Sequence, residues 1–276
     1  MTTTEHIFNN FKETMSGLEK GLQVIHITTP TAQLLCCHYD DDAATVFARP
    51  DILQFDQIPV KREETIIGLL NRREYVAGTT QLVKDHMRPL SEGILVSADT
   101  PLLEFIHIDP LDRLVIQGTH IYGLVTRSDF LKLPVRLLGF ALVTHIEAQM
   151  LAIIQSTGID KDVWLGWVPP NNKEDLQKRY SQLVQERANP DILELTSFFD
   201  KSHILQKLIS LDTYASLLPP KECIDQIKRL VPLRNMLAHG GNTSDDHSTL
   251  QTFIDRLRLV RTSIQSIEQW QKERTL

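Results

Sequence analysis

Apolar and polar positions along the chain follow different rules on either side of residue 135. In the first part, short runs rich in aliphatic and β-branched residues alternate with short helical ones. LLCCHY (Leu34–Tyr39), FDQIPV (Phe55–Val60), TIIGLL (Thr65–Leu70), ILVS (Ile94–Ser97), RLVIQ (Arg113–Gln117) and IYGLV (Ile121–Val125) predict strands. DDAATVFARPDIL, with its internal Pro50, and ADTPLLEFI, with Pro101 in its first turn, predict helices between them. Beyond Leu133–Pro134 the alternation ceases. RLLGFALVTHIEAQMLAIIQ carries apolar residues at helical spacing and stops near Gly158, and the amphipathic NKEDLQKRYSQLVQER ends before Pro190. ILELTSFFD, HILQKLISL, ECIDQIKRLVPLRNMLAH and HSTLQTFIDRLRLVRTSIQSIEQW extend the helical series. WLGWVPPNN (Trp164–Asn172) predicts a loop, with Pro169–Pro170 ending any helix. The expected fold class is α+β: an α/β N-terminal part followed by an all-α helical bundle.

A repeat lies inside the first part. TIIGLLNRREY aligned with HIYGLVTRSDF sets Gly68 on Gly123, Leu69 on Leu124, Asn71 on Thr126, Arg72 on Arg127 and Glu74 on Asp129. The predicted division is an N-terminal helix over 1–22, two repeats at about 23–80 and 81–135, and a bundle over 136–276.

Composition narrows the function classes. The chain has 276 residues, 42% hydrophobic and 23% charged, enough for two cores of a water-soluble type. No apolar run reaches the ~18–20 residues that span a bilayer, so no membrane partner is expected. MTTTEHIFNN has neither a basic n-region nor an apolar h-region, which argues against a signal peptide. Three cysteines, with Cys36 and Cys37 adjacent, predict neither a disulfide framework nor a metal site, and suit a reducing cytoplasm. A formal net charge of −6 argues against a generally basic face, so any nucleic-acid chemistry relies on a local patch.

Two stretches carry candidate chemistry. In GLVTRSDF (Gly123–Phe130), Thr126 and Asp129 have the spacing of a capping box, a sufficient structural reason for both. The same residues also suit a ligand, since a strand entering a helix offers free N–H groups to a phosphate. Thr126 adds a hydroxyl, Arg127 a cationic donor pair, and Asp129 an acceptor for vicinal ribose hydroxyls. In VPLRNMLAHGG (Val231–Gly241), Asn235 and His239 stand at i and i+4, Arg234 can swing toward them, and Gly240–Gly241 predict a C-cap. The plain alternative is a solvated Arg, and a His placed where the helix dipole favours it.

Both stretches resemble known families. The repeat, GLVTRSD and VKDHM (Val83–Met87) are similar to the CBS-domain pair, over residues 23–135. That resemblance implies an adenine-nucleotide site, for AMP or ATP, at Gly123, Thr126, Arg127 and Asp129, with Thr126 at phosphate and Asp129 at ribose. The first repeat departs from the pattern at Asn71 and Glu74, so one good site is expected. RNMLAH resembles the R-N-x-x-x-H signature of HEPN domains, over 136–276. HEPN domains are helical bundles that usually dimerise, and many are metal-independent ribonucleases. The resemblance implies a homodimer, an RNA substrate, no catalytic cofactor or metal, and catalytic roles for Arg234, Asn235 and His239. Its products would be a 2′,3′-cyclic phosphate and a 5′-hydroxyl. Glu147, an acid among apolar neighbours, either pairs with a motif residue or faces solvent. Lys228, Arg229, Arg256, Arg258 and Arg261 form either a basic patch or the solvated side of the bundle. The principal rival reading is a noncatalytic nucleotide-sensing regulator that binds RNA or a protein partner, favoured by the acidic net charge as the intact R-N-x-x-x-H favours the enzyme; a third, a toxin neutralised by a partner antitoxin, shares every one of these residues.

Overall fold

The aligned repeats build two sheets of matching design. Strands β1 (Thr29–Pro30), β2 (Cys37–His38), β3 (Gln57–Arg62), β4 (Thr65–Asn71), β5 (Arg88–Pro89), β6 (Leu95–Ser97), β7 (Arg113–Gln117) and β8 (His120–Val125) form two four-stranded sheets. Their orders are β2-β3-β4-β5 and β1-β8-β7-β6. In each, a parallel pair (β2 with β3, β6 with β7) leads into an antiparallel hairpin (β3–β4, β7–β8). The fourth strand comes from the other repeat: β5 pairs with β4, and β1 pairs with β8. The repeats therefore exchange their leading strands. The computed structural model describes residues 17–75 (19 excepted), 82–109, 111–186, 190–239 and 247–275. It divides into two compact units that meet in sequence at Val135/Arg136.

The exchange explains the repeated glycine. Gly68 lies opposite Pro89 and Gly123 opposite Pro30. A Cβ at Gly68 would collide with the backbone of Arg88, and one at Gly123 with that of Thr29. Glycine is needed here for close backbone approach. The prolines sit on edge strands, where a missing N–H costs no ladder bond. Each hairpin also carries a bulge at the equivalent place, Ile67 and Tyr122. In the first repeat, Ile58, Val60 and Leu70 pack under α1 (Ala43–Ala48) with Val46 and Phe47. Ile66 and Leu69 join Ile94, Leu114 and Leu124 in a cluster shared by both repeats. Asp42 caps α1 by accepting the Thr45 N–H at 2.8 Å, and the helix stops at Arg49, ahead of Pro50. The predicted LLCCHY strand contracts to β2. Short helices α2 (Val83–His86) and α3 (Leu102–Phe105) complete this unit.

In the second unit, all regular structure among the described residues is helical. It comprises α4 (Leu133–Ser156, entering from the first unit), α5 (Lys161–Leu165), α6 (Pro170–Gln185), α7 (Phe198–Ile209), α8 (Asp212–Ala215), α9 (Lys221–Lys228), α10 (Val231–His239) and α11 (His247–Thr275). Several boundaries correct the sequence reading. Pro169–Pro170 start a helix rather than end one, because proline at the first helical position removes only an N–H that has no partner anyway. ILELT forms turns, and α7 begins at Phe198 behind a Ser197–Asp200 capping box. ECIDQIKRLVPLRNMLAH is two helices. Pro232 can occupy only a first turn, so the chain breaks at Arg229–Leu230 and restarts as α10. α4 is long and apolar enough, by length and composition alone, to cross a membrane; 56% of the qualifying window is buried. Single polar residues interrupt its apolar runs without lowering the average. Gly139 of α4 lies against α10 and α11, where a Cβ would come within 2.9 Å of Leu257 and 3.3 Å of Leu237. Residues 17–18 and 20–21 are helical; the rest of the expected 1–22 helix, and the Gly240–Gly241 cap, lie outside the described residues.

Candidate functional site

Strand β8 delivers Thr126 to the start of a 3₁₀ turn, Arg127–Leu131. Asp129 is buried there, 6% exposed. Its Oδ2 accepts the Thr126 main-chain N–H at 2.6 Å and the Thr126 hydroxyl at 3.0 Å, which is the capping arrangement. Thr126 Oγ1 also lies 2.9 Å from Ser128 Oγ. The Arg127 N–H donates to Asp112 Oδ1 at 3.2 Å. Two of the N–H groups expected to meet phosphate are thus already engaged by carboxylates, and a five-residue 3₁₀ turn replaces the expected helix. The other Asp129 oxygen is held by Lys132, whose ammonium is 2.7 Å from Oδ1. Lys132 also donates to the Ile27 carbonyl at 2.6 Å and to Thr29 Oγ1 at 3.4 Å, tying the turn to the exchanged strand β1.

The first repeat holds its counterpart residues in a related way. Asn71 accepts the Arg73 N–H at 3.0 Å and donates to Glu74 Oε1 at 3.0 Å. Glu74 forms a two-point ion pair with Arg88 of β5, with Nε 3.0 Å from Oε2. Arg72 donates to the main-chain carbonyls of Phe47 (3.1 Å), Ile52 (3.0 Å) and Phe55 (3.1 Å), and its guanidinium lies over the Phe47 ring. It fastens the β3 approach. Sequence reading missed Lys132, Arg88 and Asp112. Only Lys132, three residues after Asp129, left a local trace.

In the helical unit, α10 presents Asn235 to solvent, holds Arg234 half-buried and ends at His239. Among the described residues, no carboxylate is paired with Arg234. Glu147 pairs with no motif residue among the described residues and is only partly exposed. It pairs with Lys201 of α7 at 3.1 Å, and the Lys201 side chain is only 2% exposed. Lys201 also donates to the carbonyls of Thr196 and Glu194. Burial pulls its ammonium pKa down, against the opposing pull of Glu147, Asp200 and Glu194. Asp200 accepts from Asn172 at 2.8 Å and from Ser197, so this buried polar group is hydrogen-bonded throughout.

A basic group that the sequence did not single out forms nearby. His203 and Lys207 lie one turn apart on α7, and the charge of Lys228 on α9 also acts on His203. Partial burial lowers the His203 pKa, and the Lys207 and Lys228 charges lower it further. The Phe199 ring stacks on His203 at 6.1 Å. Of the arginines on α11, Arg258 meets Asp255 at 3.5 Å. Among the described residues, no three His, Cys, Asp or Glu side chains converge to hold a metal ion.

No protein-family model and no curated protein matches the chain. Solved structures similar to it include CBS domains. One is the CBS domain of a bacterial CNNM/CorC-family Mg2+ transporter in complex with ATP: 18% identity, 45% of this chain and 94% of that one, TM-score 0.36. Another is CBSX2 of Arabidopsis thaliana, solved in complex with AMP: 17% identity, 40% of this chain, 92% of that one, TM-score 0.34. A third is a hemolysin-like CBS protein of Oenococcus oeni: 15% identity, 43% of this chain, 93% of that one, TM-score 0.34. The strand-exchanged repeats described above, rather than these likenesses, define the N-terminal unit.

Proposed function

We propose that this chain is a metal-independent endoribonuclease of HEPN type, gated by adenine nucleotide at its CBS-like pair and working as a homodimer in the cytoplasm. The observation that carries the reading is the content of α10: an arginine without a carboxylate partner among the described residues, an exposed asparagine beside it, and His239 one turn beyond that asparagine. Imidazole chemistry suits general base or acid catalysis, and His239 takes that part in the attack of an RNA 2′-hydroxyl on the adjacent phosphodiester. Arg234 supplies donors to the charge that builds on the phosphorane, and Asn235 orients the imidazole or the phosphate. Exposed Lys207 and Lys228, whose charges both act on His203, offer a local cationic surface, and the exposed Phe199 ring adds a stacking face, which a chain of net charge −6 needs for RNA.

The test is incubation of the purified chain with mixed RNA under metal chelation, with and without AMP or ATP. Cleavage leaving cyclic-phosphate ends is expected. His239→Ala should abolish it with the fold intact, and Arg234→Lys should restore little, because an ammonium lacks the planar two-donor fork. RNA that is bound but never cut, under every nucleotide condition, favours the second reading: a noncatalytic regulator using the same cationic surface. The net charge is the observation on that side.

A further inference from the structure

We propose that Lys132 is an internal ligand of the second-repeat cradle: its ammonium occupies the acceptors a nucleoside would use, and nucleotide binds by displacing it. The inference rests on the nucleotide-binding reading above. Three acceptors converge on Lys132 Nζ: Asp129 Oδ1 at 2.7 Å, the Ile27 carbonyl at 2.6 Å and Thr29 Oγ1 at 3.4 Å. A carboxylate, a carbonyl and a hydroxyl so placed receive hydrogen-bond donors. An adenine nucleoside brings such donors as vicinal ribose hydroxyls and an exocyclic amine. The cradle itself is fixed. Ile27 leads into the exchanged strand and Thr29 begins it, the strand can approach because residue 123 is glycine, and Asp129 is buried and tied to Thr126.

The ammonium is the part that can leave. The Lys132 side chain is 41% exposed against 8% for Asp129. A lysine can withdraw into water on its flexible stem, whereas a buried carboxylate needs some donor in place of the one it loses. The first repeat shows the same principle in a tighter form. Glu74 is gripped at two points by Arg88, and a planar fork on a carboxylate is harder to displace than a single ammonium. Exchange is therefore confined to the second repeat.

Calorimetric titration of the full chain with AMP tests this in wild type, Lys132→Met and Asp129→Ala. Lys132→Met should bind on the order of tenfold more tightly, because a closed competitor lowers apparent affinity by the fraction of time it occupies the site. Asp129→Ala should lose binding. A second measurement needs no variant: reductive methylation of wild type, read by mass spectrometry, should label Lys132 more heavily when AMP is present. If wild type binds AMP through Asp129 while Lys132→Met binds no tighter, or AMP protects Lys132, the inference fails and the nucleotide reading stands. If neither wild type nor Lys132→Met binds AMP, both fail. Should Lys132→Met not fold, the labelling result decides.

Discussion

Lys201 and Glu147 show how a buried charge constrains its surroundings. The ammonium sits almost out of water and relies on one carboxylate and two carbonyls. Glu147→Ala leaves that charge unpaired, and urea unfolding should report a loss of about 2 kcal/mol. This is below the ~3–5 typical of a fully buried pair, because Glu147 remains partly exposed. Lys201→Met removes the charge and keeps the volume, so its cost should be much smaller. Equal losses in both variants would mean that the pair contributes packing rather than charge. His203 gives a pH signature. Burial and the charges of Lys207 and Lys228 hold its pKa below 6.5, with only Asp200 pulling the other way. The unfolded chain therefore takes up the proton first. Stability is unaffected well above pH 6.5, falls as pH drops from there toward the folded pKa, and levels off beneath it. His203→Gln should flatten that segment of a melting temperature–pH curve.

At the level of elements, the glycines opposite the exchanged strands are the most sensitive positions. Gly123→Ala and Gly68→Ala each drive a Cβ into backbone that cannot rotate aside, and each should cost about 3 kcal/mol or more by denaturant unfolding. Gly139→Ala meets only the ends of Leu257 and Leu237, which can shift, and should cost less. A small effect at Gly123 would mean that β1 can move off β8. The two hairpins and their one-to-one alignment were legible in the sequence, because period-2 runs and a fixed glycine are local signals. The exchange of β1 and β5 was not, since two-residue strands carry no periodicity of their own. Helix bounds failed at proline: Pro170 read as a stop and Pro232 as the interior of one helix, yet both lie in the first turn of a helix, and only the preceding turn decides which. The candidate nucleotide residues Thr126 and Asp129 were visible through their spacing. Lys132's hold on Ile27 spans 105 residues, and Arg88 reaches Glu74 from another strand, so neither partner was visible.

The whole molecule raises the question of assembly, because the proposed ribonuclease acts as a homodimer. Leu137 and Phe140 lie one turn apart on the outward side of α4, each 53% exposed, although the helix buries most of its other large apolar residues. Two such side chains side by side suit self-association through a twofold, where each patch meets its own copy. Leu137→Glu with Phe140→Glu would place like charges opposite each other in that interface. Sedimentation velocity at micromolar concentration should then show a wild-type dimer and a variant monomer, with the circular dichroism of the helical unit unchanged. On the proposed ribonuclease reading, with a motif from each copy at one cleft, RNA cleavage should fall with the dimer fraction and return as wild-type concentration rises. A wild-type monomer that cleaves RNA would place the whole reaction on a single α10, and Arg234, Asn235 and His239 would then have to act without a partner's set.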